Sequence, residues 1–513
     1  MKVGIIELLV DCEARNWVDR AYGVYFKRFY CSITPQVVAV WCRQLGHQVF
    51  YATFYGQENP KNLLPNDLDV VFISTYTQAS ALAYALAKLY RAEKTLTVLG
   101  GPHAKSFPTD SLRFFDLVVK NCDKELVGEI LRGAFERRSI ITSGRPLKEF
   151  PTVQERMPEI AKAVFVRGRP AATSTVPLLS SIGCPYSCDF CVDWNSPYVL
   201  LPLEQLEADL QYLSKHWPGV MVAYHDPNFG VKFDQVLGII EKIPENSRNP
   251  YIMESSLSIL RGARLERLKD TNCIYIAPGV ESWTNYSNKA GVGAVVGRKK
   301  LTQVVEHFRT LREYVAGLQA NFMFGCEVDH GEEPVELTKN FIRALPYVWP
   351  TINIPTPFGN TPLYDRALAQ DKILKSMPFS FYYTPYLVTT MPNYPPTEYY
   401  QKLIDIYSVM TSAMMLARRC TTKPSFGLSL LHTLRTFSMR QDLAAFRQLH
   451  RRLKSDPDFR AFHEARSNAL PEFYHHRFEE KLGRYASLVS RAERTPEMEN
   501  PVSTPAPSAA LVA

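Results

Sequence analysis

Three cysteines fall within eight residues of one another, Cys184, Cys188 and Cys191, and their spacing defines a chemistry. A C-x3-C-x2-C run lets three thiolates hold three corners of a cubane 4Fe–4S cluster. A fourth cysteine close by would close the cluster as an electron-transfer site, and none follows. One iron is thereby left open to a substrate or cofactor, which distinguishes a catalytic metal site from a structural one. A zinc knuckle is the alternative, and it needs a fourth Cys or His ligand nearby. The nearest histidines, His216 and His225, lie on other predicted units. A second candidate is Cys326, after Phe324-Gly325 at the end of a predicted strand. Its thiol could donate a hydrogen atom or accept a reactive group, or simply fill a small buried space. Glu327, Asp329, His330, Glu332 and Glu333 follow it, either to bind a polar substrate group or as a solvated loop.

The elements that must position these groups read as an α/β chain. Apolar runs at 176–181, 220–224, 251–255, 273–277, 318–324 and 351–354 predict buried strands, separated by helical patterns such as 203–216 and 302–314. Six strand–helix units suit a partial (β/α)6 barrel over residues 174–370 better than a closed eightfold one. The cysteine run leaves the first of these strands and enters a loop at the carboxyl end, where barrels keep their chemistry. Residues 1–140 alternate in the same way, with strands at 3–10, 49–54, 70–74, 95–99 and 117–119. Between the first two lies a helix that Thr34 can cap, Pro35 can start and Gly46 can close. This predicts a doubly wound parallel sheet whose ligand lies beyond its strand ends, near Thr75–Ser80 and Gly100–Ala104. No G-x-G-x-x-G follows the first strand, which disfavours a nicotinamide dinucleotide. Residues 141–173 read as a linker, 371–494 as a mostly helical region with an aromatic and proline-rich start, and 495–513 as a disordered tail.

The run Gly183-Cys184-Pro185-Tyr186-Ser187-Cys188-Asp189-Phe190-Cys191 resembles the radical S-adenosylmethionine (radical SAM) enzymes. In that family the three cysteines hold a 4Fe–4S cluster whose open iron chelates the amino and carboxylate groups of S-adenosylmethionine. One-electron reduction then yields a 5′-deoxyadenosyl radical that abstracts hydrogen. The resemblance extends over most of residues 170–370. Tyr224-His225-Asp226-Pro227-Asn228-Phe229 is similar to a D-x-N-F element, and Pro278-Gly279-Val280-Glu281-Ser282 to a G-[IV]-E-S element with Asn288-Lys289 downstream. Thr356-Pro357-Phe358-Gly359-Asn360-Thr361-Pro362-Leu363-Tyr364 is similar to T-P-x-x-x-T-P-L-Y. The resemblance implies that Phe190 packs near the adenine and that Asp226, Asn228, Glu281 and Ser282 lie near S-adenosylmethionine. Each of these could instead be an ordinary capped strand end.

The first 135 residues resemble the cobalamin-binding domain that precedes the barrel in one large radical SAM subgroup. The resemblance rests on element order and on Leu99-Gly100-Gly101-Pro102-His103. It implies cobalamin beside Thr75, Gln78, Gly100 and Gly101. None of the 11 histidines sits in a D-x-H-x-x-G arrangement, so the usual histidine beneath cobalt is absent, as in many members of that subgroup. A purely structural sheet domain is the alternative. The implied reaction is cobalamin-dependent C-methylation in specialised metabolite, lipid or tetrapyrrole biosynthesis. A cobalamin-independent cyclase, oxidase or carbon–carbon bond-forming enzyme competes with it. So does a non-catalytic iron–sulfur scaffold or sensor, against which the further barrel signatures argue.

Composition sets the outer bounds. Ten cysteines in 513 residues are too few for a disulfide scaffold. Glu7, Asp11 and Glu13 interrupt the first apolar run, and the uncharged windows at 70–87 and 376–397 are polar or proline-rich, so no export signal or membrane span is expected. The expected location is the cytoplasm. The net charge of +8 is concentrated between Leu416 and Thr495, with 16 Lys or Arg against 8 Asp or Glu. Arg418, Arg419, Arg447, Arg451, Arg452 and Lys454 offer a face to an acidic electron donor, flavodoxin or ferredoxin, or form a solvated helical surface. Phe379, Phe381, Tyr382, Tyr383, Tyr386, Tyr394, Tyr399 and Tyr400 could line a pocket for a large apolar substrate, or pack the third region on the barrel.

Overall fold

The computed structural model describes residues 1–501 except 15, 26–29, 146, 148–149 and 423–424. Six strands open the chain: β1 (Lys2–Leu8), β2 (Gln48–Phe54), β3 (Val70–Thr75), β4 (Leu96–Gly100), β5 (Leu117–Val119) and β6 (Ser139–Ile141). They pair in parallel in the order β2-β1-β3-β4-β5-β6. Val3, Ile5, Ile6, Val70, Val71 and Ile73 are all buried, as a parallel sheet covered on both faces requires. The chain steps to one side of β1 and then to the other, which puts a topological switch point between β1 and β3. β6 was too short to announce itself in the sequence. The expected helix before β2, α1 (Ile33–Gln44), starts one residue before the expected cap: Ser32, in extended backbone, holds that position, and Thr34 lies in the first turn. The Ser32 N–H donates to the buried Glu7 carboxylate at 2.8 Å. Gly46, at φ +85°, closes α1 as expected, with its N–H on the Arg43 carbonyl at 2.9 Å.

The second sheet contains β7 (Thr175–Leu178), β8 (Met221–Tyr224), β9 (Tyr251–Met253), β10 (Cys273–Ile276), β11 (Gly279–Glu281), β12 (Gly317–Met323) and β13 (Val348–Asn353). All pairs are parallel, and β7 and β13 do not pair with each other, so the barrel is open. There are six strand positions, as expected, but the fourth is broken. β10 lies against Gly317 and Leu318 of β12, and β11 against Asn321 and Phe322 farther along the same edge. Pro278 sits at the break and has no N–H to give a ladder. The expected strand end at 278–282 is therefore a short strand of its own.

Residues 141–173 do more than connect. They contain α2 (Val153–Val164), opened by a Thr152–Glu155 capping box. Arg156 of α2 is buried and donates to Gln36 Oε1 of α1 at 2.9 Å and to the Pro177 carbonyl of β7 at 3.3 Å. Glu159 pairs with Arg43. One helix thus ties the first sheet to the first barrel strand. The aromatic stretch supplies a second tie, since Phe379 stacks on Phe107 at 3.6 Å between ring centroids. Phe381, Tyr382, Tyr386, Tyr394, Tyr399 and Tyr400 are likewise buried. The expected disordered tail begins later than Thr495. The Glu499 carboxylate accepts from the Thr109 N–H (2.8 Å) and hydroxyl (2.7 Å), and its N–H donates to the Tyr364 hydroxyl (2.8 Å). Residues 502–513 lie outside the described residues. Among the described residues no helix is long and apolar enough to cross a membrane, and no disulfide joins any of the cysteines.

Burial pushes the Glu7 carboxyl up to about 7, with Ser32 working against it. A carboxyl raised in the folded state contributes stability that is complete below its unfolded value and is lost as pH rises toward the folded one. Glu7→Gln keeps an acceptor for Ser32 and cannot ionise. The variant should match the parent near pH 4.5 and exceed it at pH 8 by up to about 3 kcal/mol. Urea unfolding of both proteins across that range checks this; parallel curves would show that Glu7 is ionised in the fold.

Candidate active site

The cysteine run starts where β7 ends, and a buried carboxylate fixes that start. Asp226 accepts from the Ser180 N–H (3.0 Å) and from the hydroxyls of Ser180 (2.5 Å) and Ser181 (2.6 Å). Gly183 then turns the chain at φ +68°. A Cβ there would lie 2.1 Å from the Pro197 carbonyl oxygen, so no other residue fits without moving the backbone. The Cys184 N–H donates to the Ser196 carbonyl at 3.1 Å, and the Cys191 N–H to that of Cys188 at 3.0 Å. These bonds fold the run on itself with all three thiols half-buried. Burial pushes Cys188 up to about 11 and also raises Cys191, while Lys289 draws both back; the three thiols act on one another. Among the described residues no three His, Cys, Asp or Glu converge on a single metal ion. A cubane cluster binds each thiolate through a different iron, so it does not require the three to converge on one ion. The outer side of the loop is pinned too. Asp189 accepts from the Tyr286 hydroxyl at 2.7 Å, pairs with Arg366, and lends its carbonyl to the Leu363 N–H at 2.9 Å.

Beside the loop lies a cavity of about 550 Å³ at the carboxyl ends of the barrel strands, with Phe190, Asn228, Glu254, Glu281, Lys289 and Asn353 in its wall. Glu281 is buried and holds a left-handed backbone at φ +64°, a strained conformation for a residue with a side chain. Its carboxylate is 3.5 Å from Lys289 Nζ. Burial raises both Glu254 and Glu281, and Lys289 opposes that rise. Burial works against the Lys289 ammonium as well, yet Glu281 and the three thiols hold it above the ordinary lysine value. Asn228 Oδ1 accepts from the Ser256 hydroxyl at 3.0 Å, while its buried Nδ2 has no partner among the described residues. A buried amide donor left unpaired marks a place for a ligand oxygen. Phe190 stacks on Tyr286 with centroids 5.9 Å apart.

The residues singled out from the sequence divide here. Phe190, Asn228 and Glu281 line the cavity. Asp226 faces the root of the cysteine loop instead, and Ser282 is turned to Asp329 at 2.9 Å; both are absent from the wall because their partners lie behind it. Cys326 is buried in a separate space of about 40 Å³, behind Tyr286. Burial raises its thiol well above the ordinary range. The acidic loop after it serves the fold. Asp329 accepts from the N–H groups of Gly325 and Cys326, and Glu332 pairs with Lys402. Glu254, Asn321 and Asn353 were missed. Their signal was polarity on the inward side of buried strands: Gln319, Asn321 and Met323 alternate along β12 and all reach the cavity.

A second cavity, of about 930 Å³, opens at the switch point of the first sheet. Ser74, Gly100 and Lys120 form one side, and Gly183, Ser196 and His225 the other. Gly100 is open on this side, since a Cβ there would meet nothing within 4 Å. Gly101 is different: at φ +85°, its Cβ would strike Ser74 and Thr75, so glycine is required there by the turn. Thr75 and Gln78 are not in the wall; Thr75 is buried with its hydroxyl on the Tyr76 carbonyl. His103 of the Gly-Gly-Pro-His loop points away, to the Tyr84 hydroxyl at 2.7 Å. One loop separates the two cavities. His225 faces the larger and Asn228 the smaller, and Pro227 borders both. Behind His225, Tyr30 stacks at 4.9 Å and hydrogen-bonds Tyr76 at 2.8 Å.

The family model described as the radical SAM superfamily matches residues 178–338. The bacteriochlorophyllide d C-8(2)-methyltransferase of Chlorobaculum tepidum is 23% identical over 398 residues, 74% of this chain and 85% of that one. The C-12(1)-methyltransferase of the same organism is 22% identical over 63% of this chain and 71% of its own. Among solved structures, the radical S-adenosylmethionine methyltransferase TsrM from Kitasatospora setae, with cobalamin and a [4Fe-4S] cluster bound, has a TM-score of 0.51. It is 14% identical, covering 72% of this chain and 78% of that one, a likeness of fold. The cysteine loop at the mouth of the open six-position barrel lies inside the matched stretch, so residues 178–338 of this chain form a radical SAM region.

Proposed function

We propose that this protein is a cobalamin-dependent radical SAM methyltransferase that methylates a carbon of a large apolar molecule of the tetrapyrrole class. The observation that carries this reading is the pair of adjacent cavities divided by the loop at Pro227. The cluster and S-adenosylmethionine supply a carbon-centred radical able to take hydrogen from an unactivated carbon, and cobalamin supplies methyl carriage. This chain's part is to hold, orient and exclude water. Cys184, Cys188 and Cys191 would hold the cluster, with Lys289 offsetting thiolate charge. S-adenosylmethionine carries an ammonium, a sulfonium, a carboxylate and ribose hydroxyls. Glu254, Glu281, Lys289 and the unpaired Nδ2 of Asn228 complement those groups in charge and donor type. Phe190 offers the adenine an aromatic face. Asp226 and Ser282 act one layer back as positioning residues, and the structure gives Cys326 no opening to the cavity.

The larger cavity fits a corrin in size and lining. Its floor at Ile5, Phe72 and Val98 is apolar, and Lys120, Asn121, Thr142 and Ser143 can meet amide arms at the rim. Among the described residues in its wall, His225 from the barrel is the one histidine, and the first sheet offers cobalt none. The relatives named as bacteriochlorophyllide methyltransferases support the substrate class. So do Tyr382 and Tyr383, which bring aromatic surface to the smaller cavity. Flavodoxin or ferredoxin would deliver the low-potential electron in the cytoplasm.

Anaerobic reconstitution with iron, sulfide, cobalamin, dithionite and methyl-labelled S-adenosylmethionine tests the reading against extracts of a deletion strain. Label should enter an apolar product alongside 5′-deoxyadenosine. Deoxyadenosine without label transfer would favour a cyclase or oxidase, and neither product would favour a scaffold or sensor. Cys184→Ala, Cys188→Ala and Cys191→Ala should each lose the cluster's absorbance, and Gly183→Ala should lose most of its iron through the clash with Pro197. Full iron content in any of the three cysteine variants would remove the cysteine loop as the cluster site, and in Gly183→Ala would show that the turn yields to a Cβ. Gly100→Trp should lower retained cobalamin at least about tenfold by filling the side of the cavity that is open at Gly100, with iron content unchanged. Equal cobalamin in variant and parent would place that cofactor elsewhere.

A further inference from the structure

Ten large apolar side chains are markedly exposed among the described residues, and four of them gather on two successive helices. These helices are α3 (Ala413–Thr421) and α4 (Phe426–Ser455). Phe426 is 85% exposed, Met414 64%, Phe437 54% and Leu430 45%. Phe426, Leu430 and Phe437 are spaced by four and seven residues and so share one side of α4. The opposite side is committed to the fold. His432 and Arg435 turn inward onto Trp349, with Arg435 also on the Tyr275 hydroxyl, beside the amino-terminal ends of β12 and β13. The outward stripe continues along α4 into exposed Arg440, Arg447 and Arg451. Over its 30 residues α4 carries six Lys or Arg and a single acid, Asp442, and α3 carries two Arg and no acid.

We infer that this face of α3 and α4 docks the protein onto an anionic lipid surface. An apolar stripe with aromatic residues, followed by arginines and free of exposed acids, matches a layer that is apolar inside and anionic outside. Phe426, Leu430 and Phe437 enter the acyl boundary while Arg440, Arg447 and Arg451 meet headgroup phosphates. A second copy of the chain fits poorly, because two such faces would bring six cations and one acid of each helix together. An acidic electron donor fits poorly for a different reason. The face lies at the amino-terminal end of the barrel strands, and the cysteine loop lies beyond their carboxyl ends. The basic stretch is in any case partly used internally: Arg419 is buried, Lys481 pairs with Asp11, Arg484 with Glu13 and Arg494 with Glu479. With no spanning helix among the described residues, this attachment is peripheral and reversible.

Flotation of the full-length protein with phosphatidylcholine vesicles, with and without phosphatidylglycerol, tests the inference. The parent should float with the anionic vesicles only, and less as salt rises. Changing Phe426, Leu430 and Phe437 together to Ser, or Arg440, Arg447 and Arg451 together to Glu, should each weaken binding at least about tenfold. Iron content and thermal unfolding equal to the parent's would show that both variants remain folded. Absence of flotation by the parent would overturn the inference. So would equal flotation of parent and both folded variants, or a dimer in solution that the serine variant abolishes while vesicle binding is unchanged. The readout does not use turnover, so its failure leaves the methyltransferase reading untouched.

Discussion

One buried carboxylate organises the centre of this molecule. Among the described residues no cation hydrogen-bonds Asp226; it is held by the N–H of Ser180 and the hydroxyls of Ser180 and Ser181. Burial raises its carboxyl and those donors oppose the rise. Bonds from neutral donors to a charged acceptor in such a place contribute about 1.5–3 kcal/mol each. The mechanical effect matters more than the energy. Ser180 and Ser181 lead into the cysteine loop, and Asp226 itself belongs to the loop that divides the two cavities. Three features, the thiols, the smaller cavity and the wall, meet at that point of attachment. A shift in one is transmitted to the others through bonds of 2.5–3.2 Å.

The electrostatics around it have the same economy. Lys289 is the cation in the wall of the smaller cavity, and it acts on Glu254, Glu281 and two of the raised thiols together. Two buried carboxylates and a thiolate group would repel one another without it. Glu281 reaches Lys289 from a strained left-handed backbone, on a short strand that exists because Pro278 interrupts the sheet. The strain is concentrated at the cavity wall, where a rigid placement of charge is of most use.

Much of this was legible in the sequence because the signals were local. The cysteine spacing, the strand that precedes it and the glycine that turns it stand in one short run. The six strand positions followed from apolar periodicity, since parallel strands buried on both faces leave nothing else to read. What was not legible depended on approach across the fold. Asp226 and Asn228 share the loop after β8, and Ser282 follows Glu281 at the end of β11, where no strand periodicity fixes side-chain direction, and only the packing shows which one meets the cavity. Gly100 and Gly101 are adjacent and chemically identical, but one is open to a ligand and the other is required by the turn. α2 looked like a linker because its role lies in Arg156, whose partners are 120 and 21 residues away. Tail residues up to Glu499 were read as disordered from composition alone, while Thr109 and Tyr364 hold them in place.

The dividing loop at His225–Asn228 is a partition about one residue thick, with Pro227 exposed to both sides. A partition of that kind insulates and connects together. Proline has no N–H to offer either side, and the neighbouring side chains of His225 and Asn228 line opposite compartments. Atoms that protrude from either side can still approach within a van der Waals gap near the proline ring. The loop therefore acts as a spacer: its thickness, set by covalent geometry, fixes how near two large occupants can come without trading places. Replacing a spacer changes a distance, and in chemistry that passes a one-carbon group between neighbours, distance decides which neighbour receives it.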